Sequence, residues 1–558
     1  MCNKIILTLV SLFSLVSINQ AASSTLNSGC PFSAYLESMS IIIGKYLLAS
    51  IFGLLGLSVI AFVYYFVIRP YLLVQFYRKQ GIPMFYSPVI GSFSKDLQNA
   101  REKGEFYYDW IQLSKQEPRP KAMGKNVAAD PQLYLIDPEA IRQFFINHES
   151  YIKHPFLNAL TKELGKNGLV MAEGRIWRKH RKLLSTGFQY EMLKEVIPEV
   201  RQHSLELIEQ YKNMDLNNFK AFDAFKATAG EVIGRIFFEE SLGRYTMQGK
   251  PMTLFLADLI ARISSEPYNP LYLMFGIKLV KTKLIPRQRK MINDIREFRE
   301  WCRGIVRRNI QKRKEDHAKG LYPYNKRKNM FDIMFDHQLA NPEEALSEEE
   351  MIDEYITFFS DGVYTTGHFI TMLTYYLEMN PEWKKKVIDE MDSHFNDIED
   401  ITYEKINKLD ILAACMKESL RLAPPVVTAI ERIALHDHDL AGIKVKKGTI
   451  LMACHCANHL DDRFFEDAAT YNPERWIKPS KSQESVKAYP SLFVPFSLGA
   501  RHCIGQNFAM NEAKIILAIF FKKFKYELAD KNYQLKFTQR FLREPLEPIV
   551  YKLTPRDN

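Results

Sequence analysis

Two apolar runs open the chain, and each stops at a recognisable signal. After Lys4, residues 5–18 are mostly apolar and lead into Ala21, Ala22 and Ser23, the layout of a secretory signal peptide with a short apolar core and a small-residue cleavage site. Residues 1–22 are therefore expected to be a signal peptide, with 23–45 as a short lumenal segment. Residues 46–68 carry no charge, and about 23 residues at about 1.5 Å each reach about 34 Å, enough to cross a bilayer core. Tyr46, Tyr64 and Tyr65 stand near the ends of this run, as interfacial aromatics do. Arg69, Arg78 and Lys79 outnumber Lys45 across the span and place the rest of the chain on the cytosolic side. Gly81, Pro83, Pro88 and Gly91 then break helical periodicity, so residues 69–92 are expected to form a stiff, irregular hinge. Beyond it, residues 93–558 show helical periodicity with short strand-like pieces such as 444–452 and no internal repeat, which predicts one mainly α domain with small β-sheets.

The longest helix is bounded by its own chemistry. Ser347 and Glu350 make a capping box at one end, and Asn380 precedes Pro381 at the other, leaving about 32 residues, or about 48 Å of helix. Ile352, Ile356, Phe359 and Val363 give it a buried face. Asp361, Gly362, Thr365 and Thr366 interrupt that face with polar and small groups, a local cost that points to a ligand or a functional cavity at mid-length.

Composition narrows the class. With 47% hydrophobic and 25% charged residues the chain lies far from the disordered regime. A net charge of +10 suits an anionic membrane surface or an acidic partner and does not single out nucleic acid. Seven cysteines are few and odd in number, which argues against a disulfide framework and for one thiol with its own chemistry.

That thiol is Cys503, in Phe496-Ser497-Leu498-Gly499-Ala500-Arg501-His502-Cys503-Ile504-Gly505, just ahead of an apolar helix. Gly499 allows the loop to turn, the helix N-terminus and Arg501 favour a thiolate, and Gly505 clears space for a bulky group. A thiolate so placed attacks a substrate, binds zinc or ligates haem iron; an inert buried cysteine is the plainer alternative.

The segment resembles the haem-binding signature of the cytochrome P-450 family, F-x-x-G-x-R-x-C-x-G, at every specified position. Further motifs keep the family's order over residues 80–550. Glu418 and Arg421 resemble the E-x-x-R pair and share a helix face, and Arg475 resembles the arginine that completes their network. Trp177 and Arg181 resemble W-x-x-x-R, and with Arg432 and Arg501 the resemblance implies contacts to haem propionates. In the long helix the family carries A-G-x-(D/E)-T; here the aligned residues are Asp361, Gly362, Val363, Tyr364 and Thr365, with a tyrosine at the usual acid position. Asp361 lies four residues before Thr365, on the same face, and is expected to take over the acid's part in a proton relay, with Tyr364 as the competing candidate.

The resemblance implies a P-450 fold preceded by a transmembrane helix, with haem b as cofactor and Cys503 as the iron ligand. It implies a monooxygenase anchored in the endoplasmic reticulum membrane with a cytosolic catalytic domain. No Gly-rich dinucleotide loop comes after a strand, so electrons are expected from NADPH through a separate cytochrome reductase or similar donor. Val426, Val427, Phe541 and Leu542 are expected beside a lipophilic substrate, in contact with membrane lipid and not nucleic acid. The rivals are a haem-thiolate isomerase or peroxide-rearranging enzyme, against which Thr365 speaks, and a haem-binding protein without turnover. Cys454, His455 and Cys456 are set aside as a metal site, because alternation along a strand points the thiols and the imidazole to opposite faces. The basic stretches at residues 278–290 and 303–314 read as solvated faces.

Overall fold

A computed structural model describes residues 31–89, 91, 102–103, 105, 107–155, 158–266, 272, 285–428, 430–537 and 542–556. The expected signal peptide and Phe541 lie outside these. The chain divides into two units, Met1–Leu72 and Leu73–Asn558.

In the first unit, α1 (Pro31–Val63) is continued by a π-helical stretch at Tyr64–Ile68. Leu48, Phe52, Leu57 and Ile60 are exposed on it. The stretch Ile41–Arg78 is long and apolar enough to cross a membrane. The helix α2 (Arg69–Arg78) occupies the first ten residues of the expected hinge. From Leu73 onward it belongs to the second unit, where Val74 and Tyr77 are fully buried and the Tyr77 hydroxyl lies 2.6 Å from Thr449 Oγ1. The irregular connector therefore starts at Gly81, whose φ of 76° suits glycine.

The second unit is mainly helical. A six-stranded sheet is built from β1 (Met84–Phe85), β2 (Ala122–Val127), β3 (Asp130–Leu135), β4 (Tyr151–Lys153), β6 (Arg432–Ala434) and β9 (Ile450–Ala453), in the order β1-β2-β3-β9-β6-β4. The hairpin β7 (His438–Leu440) and β8 (Ile443–Val445) stands apart from it, and β5 (Phe219–Lys220), β10 (Phe524–Leu528) and β11 (Val550–Pro555) form a third sheet. The expected single strand at 444–452 is thus two, β8 and β9. Gly448, at φ 85°, turns the chain between them.

The helices that frame the site are α3 (Gly174–Leu184), α4 (Ala221–Phe238), α5 (Met252–Ser265), α6 (Pro286–Ala318), α7 (Glu348–Met379), α8 (Asp410–Leu422) and α9 (Gln506–Lys523). The long helix α7 begins and ends where its caps dictate: the Ser347 side chain accepts from Glu350 N, the Glu350 carboxylate accepts from Ser347 N, and Asn380 closes the far end. α7 packs along α4, and glycines set the approach. A Cβ on Gly362 would fall 2.4 Å from Ile233 Cδ1, and one on Gly367 would fall 2.8 Å from Lys226 Cα. Gly362 is explained by this helix crossing and needs no ligand.

Candidate active site

The cysteine loop is shaped by backbone conformation before any side chain acts. Ser497 (φ 66°) and Gly499 (φ 74°) both take left-handed angles, and a Cβ on Gly499 would lie 2.9 Å from Phe145 O, so the loop is drawn tight against its neighbour. The Cys503 amide donates to Phe496 O at 2.8 Å and closes the turn, while the His502 amide donates to Gly499 O at 3.1 Å. α9 starts three residues on, and the amides of Gly505 and Gln506 donate to the Cys503 sulfur. Burial pushes the thiol up; those two amides and Arg181 pull it down. Cys503 is accessible although protein surrounds it closely, as befits a residue on the wall of an interior space. A Cβ on Gly505 would project to 4.0 Å from the sulfur and 3.9 Å from Phe188, so the missing side chain leaves a flat surface beside the thiol.

Asp361 faces the same space from α7, with its charge acting on Cys503. Its side chain is accessible in a helix otherwise largely buried, yet burial among protein atoms raises its carboxyl to about 7, against a hydrogen bond from Ser360 and with help from Glu354. Thr365 Oγ1 donates to Asp361 O at 2.5 Å. Tyr364 lies elsewhere: it is buried, edge-on to Phe222, and its hydroxyl is directed to Arg543 O at 3.4 Å.

A cluster of buried cations flanks the cysteine loop. Arg501 donates to Ala172 O at 2.7 Å and Glu173 Oε2 at 2.5 Å, and its guanidinium stacks 4.1 Å from the centre of the Trp177 ring. Lys153 Nζ is 3.5 Å from Glu173 Oε1. Arg432 sits opposite Lys153 in the β4–β6 register, nearly fully buried, with its Nη1 unpaired. Burial and then Arg501 pull Lys153 down to about 7; burial likewise pulls Arg501 down to about 10 and lowers Arg432. Lys153 and Glu173 belong to none of the sequence motifs. With Lys153 protonated, three cations against one carboxylate leave two positive charges uncompensated in a low-dielectric setting; Lys153 sheds its proton near 7 unless an anionic group joins them. Haem b carries two carboxylates, so charge, the flat wall at Gly505 and the accessible thiol fit that group together. Arg181 is turned to the loop itself, donating to His502 O at 2.9 Å. Phe496 is half-buried and serves the turn through its carbonyl.

Behind the site, Glu418 and Arg421 on α8 form a buried bidentate pair at 2.7 and 2.9 Å. Arg475 Nε and Asn472 N donate to Glu418 Oε1 at 3.1 and 2.9 Å, and Trp476 Nε1 donates to Oε2 at 2.9 Å. Arg421 also donates to the carbonyls of His459, Ala468 and Thr470, tying α8 to the segment that precedes the cysteine loop. Val427 is buried and Val426 pairs with Leu542 in an isolated bridge. Cys454 comes directly after β9, and His455–His459 is a short helix and not a strand; the two thiols stand 3.6 Å apart while His455 Nε2 is 2.8 Å from Val426 O. Among the described residues no group of three metal-ligating side chains is present.

Residues 121–551 match the family model for cytochrome P450. The chain belongs to the cytochrome P450 family. It is similar to cytochrome P450 734A1 of Arabidopsis thaliana, 29% identical over 75% of this chain and 78% of that one. Cytochrome P450 734A4 of Oryza sativa subsp. japonica is 30% identical over 72% and 75%, and cytochrome P450 4V2 of Rattus norvegicus 27% identical over 81% and 86%. The chain is thus an oxidoreductase of the haem-thiolate monooxygenase class.

Proposed function

We propose that this P450 hydroxylates a lipophilic organic substrate at a membrane surface, with Cys503 as the thiolate ligand of haem b and Asp361 with Thr365 as its proton donors. Haem held by a thiolate supplies the activation of dioxygen, of which one atom enters the substrate and the other leaves as water. The observation that carries the reading is Cys503 on the wall of an interior space with Asp361 facing it, beside an unbalanced cluster of buried cations. Lys153, Arg432 and Arg501 would hold the two carboxylates, Trp177 supports Arg501 from one face, and Arg181 fixes the loop through His502 O. Gly505 and Gln506 amides steady the negative charge on sulfur. The Glu418, Arg421, Arg475 and Trp476 network keeps α8 and the loop in register.

Asp361 is suited to its part because a carboxyl near 7 both takes and gives a proton at neutral pH. Thr365 Oγ1, anchored on Asp361 O, presents a hydroxyl one helical turn further along the same face. Tyr364, turned to Arg543 O, is left a packing role. Val426, Val427 and Leu542 supply apolar wall for the substrate. Electrons come from NADPH through a separate reductase, and the helix spanning residues 46–68, with Arg69, Arg78 and Lys79 on its cytosolic flank, anchors the enzyme in the endoplasmic reticulum.

The test is optical. The purified, haem-loaded protein is titrated in its ferric state with dodecanoic acid and with cholesterol, and a second sample is reduced under carbon monoxide. A thiolate-type spectrum together with a substrate-induced shift of the haem band supports the reading, and a histidine-type spectrum overturns it.

A further inference from the structure

Beyond the inner end of the proton relay, the protein carries groups that connect it to the outside. Glu350, Glu354, Asp361 and Thr365 stand at i, i+4, i+11 and i+15 on α7, and at about 100° per residue they fall within about 60° of one another. His180, fully buried on α3, is hydrogen-bonded to the second and stands beside the first: its Nδ1 is 2.6 Å from Glu354 Oε1, and its Nε2, which makes no hydrogen bond, is 3.3 Å from Glu350 Oε1. Glu350 is partly exposed, beside Lys179. Glu354 is fully buried; besides His180 the Leu169 backbone acts on its carboxylate, and Oε2 makes no well-aligned hydrogen bond. A buried carboxylate so thinly satisfied is expensive to keep, and a hydrophobic residue would hold α3 to α7 at less cost.

Two hydroxyls fill the interval from Glu354 to Asp361. Thr357 is three residues past Glu354, and Ser360 is three further on, each on a half-buried face. Ser360 Oγ donates to Thr357 O at 3.1 Å and lies 3.3 Å from Asp361 Oδ1. Thr357 Oγ1 donates to Asp353 O at 2.8 Å, so both hydroxyls rest on backbone carbonyls and turn from them to give a proton onward, while a single water bridges a step of one helical turn.

We propose that Glu350, His180 and Glu354 form the proton inlet of this enzyme, feeding Asp361 by way of Thr357 and Ser360. The inlet rests on the proposed roles of Asp361 and Thr365. Glu350 takes a proton from bulk water and gives it to His180 Nε2; His180 Nδ1 gives its own to Glu354; Glu354 passes one inward through the hydroxyls. Transfer of the remaining proton from Nε2 to Nδ1, carried by water, restores the starting tautomer. One proton enters for each that Asp361 releases, and no electron moves. Burial raises the Glu354 carboxyl, which keeps it able to hold a proton when its partner does not.

The test needs no identified substrate. The full-length, haem-loaded enzyme with its reductase in phosphatidylcholine vesicles is given NADPH and dioxygen alone, and water and peroxide are counted; reduction to water takes four protons and to peroxide two. Glu354→Gln and His180→Gln are expected to cut the rate of water formation about a hundredfold, the low side of what a positioned acid or base contributes, and to raise the peroxide share. Glu354→Asp restores most of the loss, and Glu354→Gln adds nothing further on top of Asp361→Asn. In infrared difference spectra, the carboxyl band removed by Glu354→Gln should titrate differently in Asp361→Asn, a signature that a merely structural role would not give. Wild-type water formation in Glu354→Gln, alongside a defect in Asp361→Asn, overturns the inlet and leaves the Asp361 reading standing. Wild-type behaviour in Asp361→Asn removes the reading beneath it. Should the buried variants lose haem, Glu350→Gln, which keeps the capping box, carries the same prediction, and wild-type water formation there also overturns the inlet.

Discussion

Glu418 offers the sharpest stability test, because five donors converge on the two oxygens of its fully buried carboxylate. Oε1 accepts from Arg421 Nη2, Arg475 Nε and Asn472 N, and Oε2 accepts from Arg421 Nε and Trp476 Nε1. Glu418→Ala strands two buried guanidinium groups without a counter-charge, a change that costs about 3–5 kcal/mol in other buried pairs. The second unit, Leu73–Asn558, has about 490 residues, and at about 2.1 cal/mol/K per residue its unfolding entropy is about 1 kcal/mol/K. The loss therefore reads as a melting shift of about 3–5 °C downward. Glu418→Gln is expected to do nearly as badly despite its shape. Whichever way the amide is turned, its NH2 faces at least two donors that the carboxylate oxygen had satisfied.

The assay is thermal unfolding of the haem-loaded protein, monitored by far-ultraviolet circular dichroism and, in parallel, by the haem band. Loss of the haem band should come down with the helical signal, since Arg421 ties α8 to His459 O, Ala468 O and Thr470 O on the way to the cysteine loop. Glu474→Gln, which breaks the neighbouring exposed contact with Lys478, serves as the control and should leave the melt unmoved. A shift under about 1 °C in Glu418→Ala would refute the reasoning, because it would mean that the guanidinium groups find water or new partners when the carboxylate is gone.

Cys503→Ala is expected to abolish the thiolate-type spectrum of the ferrous carbon monoxide complex; retention of that spectrum would move the ligand elsewhere. Asp361→Asn and Thr365→Ala should divert reducing equivalents to peroxide while haem content stays at the wild-type level, and Tyr364→Phe should not; the reverse pattern would hand the relay to the phenol. Lys153 carries a folded pKa near 7 against an ordinary value near 10.5, so between those limits the unfolded chain binds more protons and stability of the haem-free protein should rise with pH. Haem carboxylates beside Lys153 should abolish that slope, and Lys153→Met should remove it from the haem-free protein. A chain beginning at Leu73 should fold and bind haem, whereas one beginning at Gln80 loses Val74 and Tyr77 from the core and should melt lower; equal melting would show that those two side chains contribute nothing.

Sequence makes legible whatever is settled within a few residues. The ends of α7 are set by Ser347, Glu350 and Pro381, each acting within one helical turn, and the Glu418 and Arg421 pairing is legible from i,i+3 spacing, although its burial is implied only by the E-x-x-R motif it resembles. The single strand expected at residues 444–452 fails because the polar stretch Lys446-Lys447-Gly448-Thr449 is a turn, with Gly448 in the left-handed region between β8 and β9. Gly362 misleads because a helix crossing and a ligand cavity leave the same mark on one helix; Ile233, which decides between them, is far away in sequence. The hinge begins later than expected because α2 has the pattern of a continuation of the span, although Tyr77 reaches Thr449 across the fold. The cation cluster is the hardest part to see, since Lys153, Glu173, Arg432 and Arg501 come from four separate segments and share no period. Yet Arg432, recognisable on its own from a motif, becomes informative only once Lys153 and Arg501 are beside it: a single buried arginine needs one partner, whereas this group, after Glu173 is counted, lacks two negative charges, and that deficit specifies the charge of what the site was built to hold.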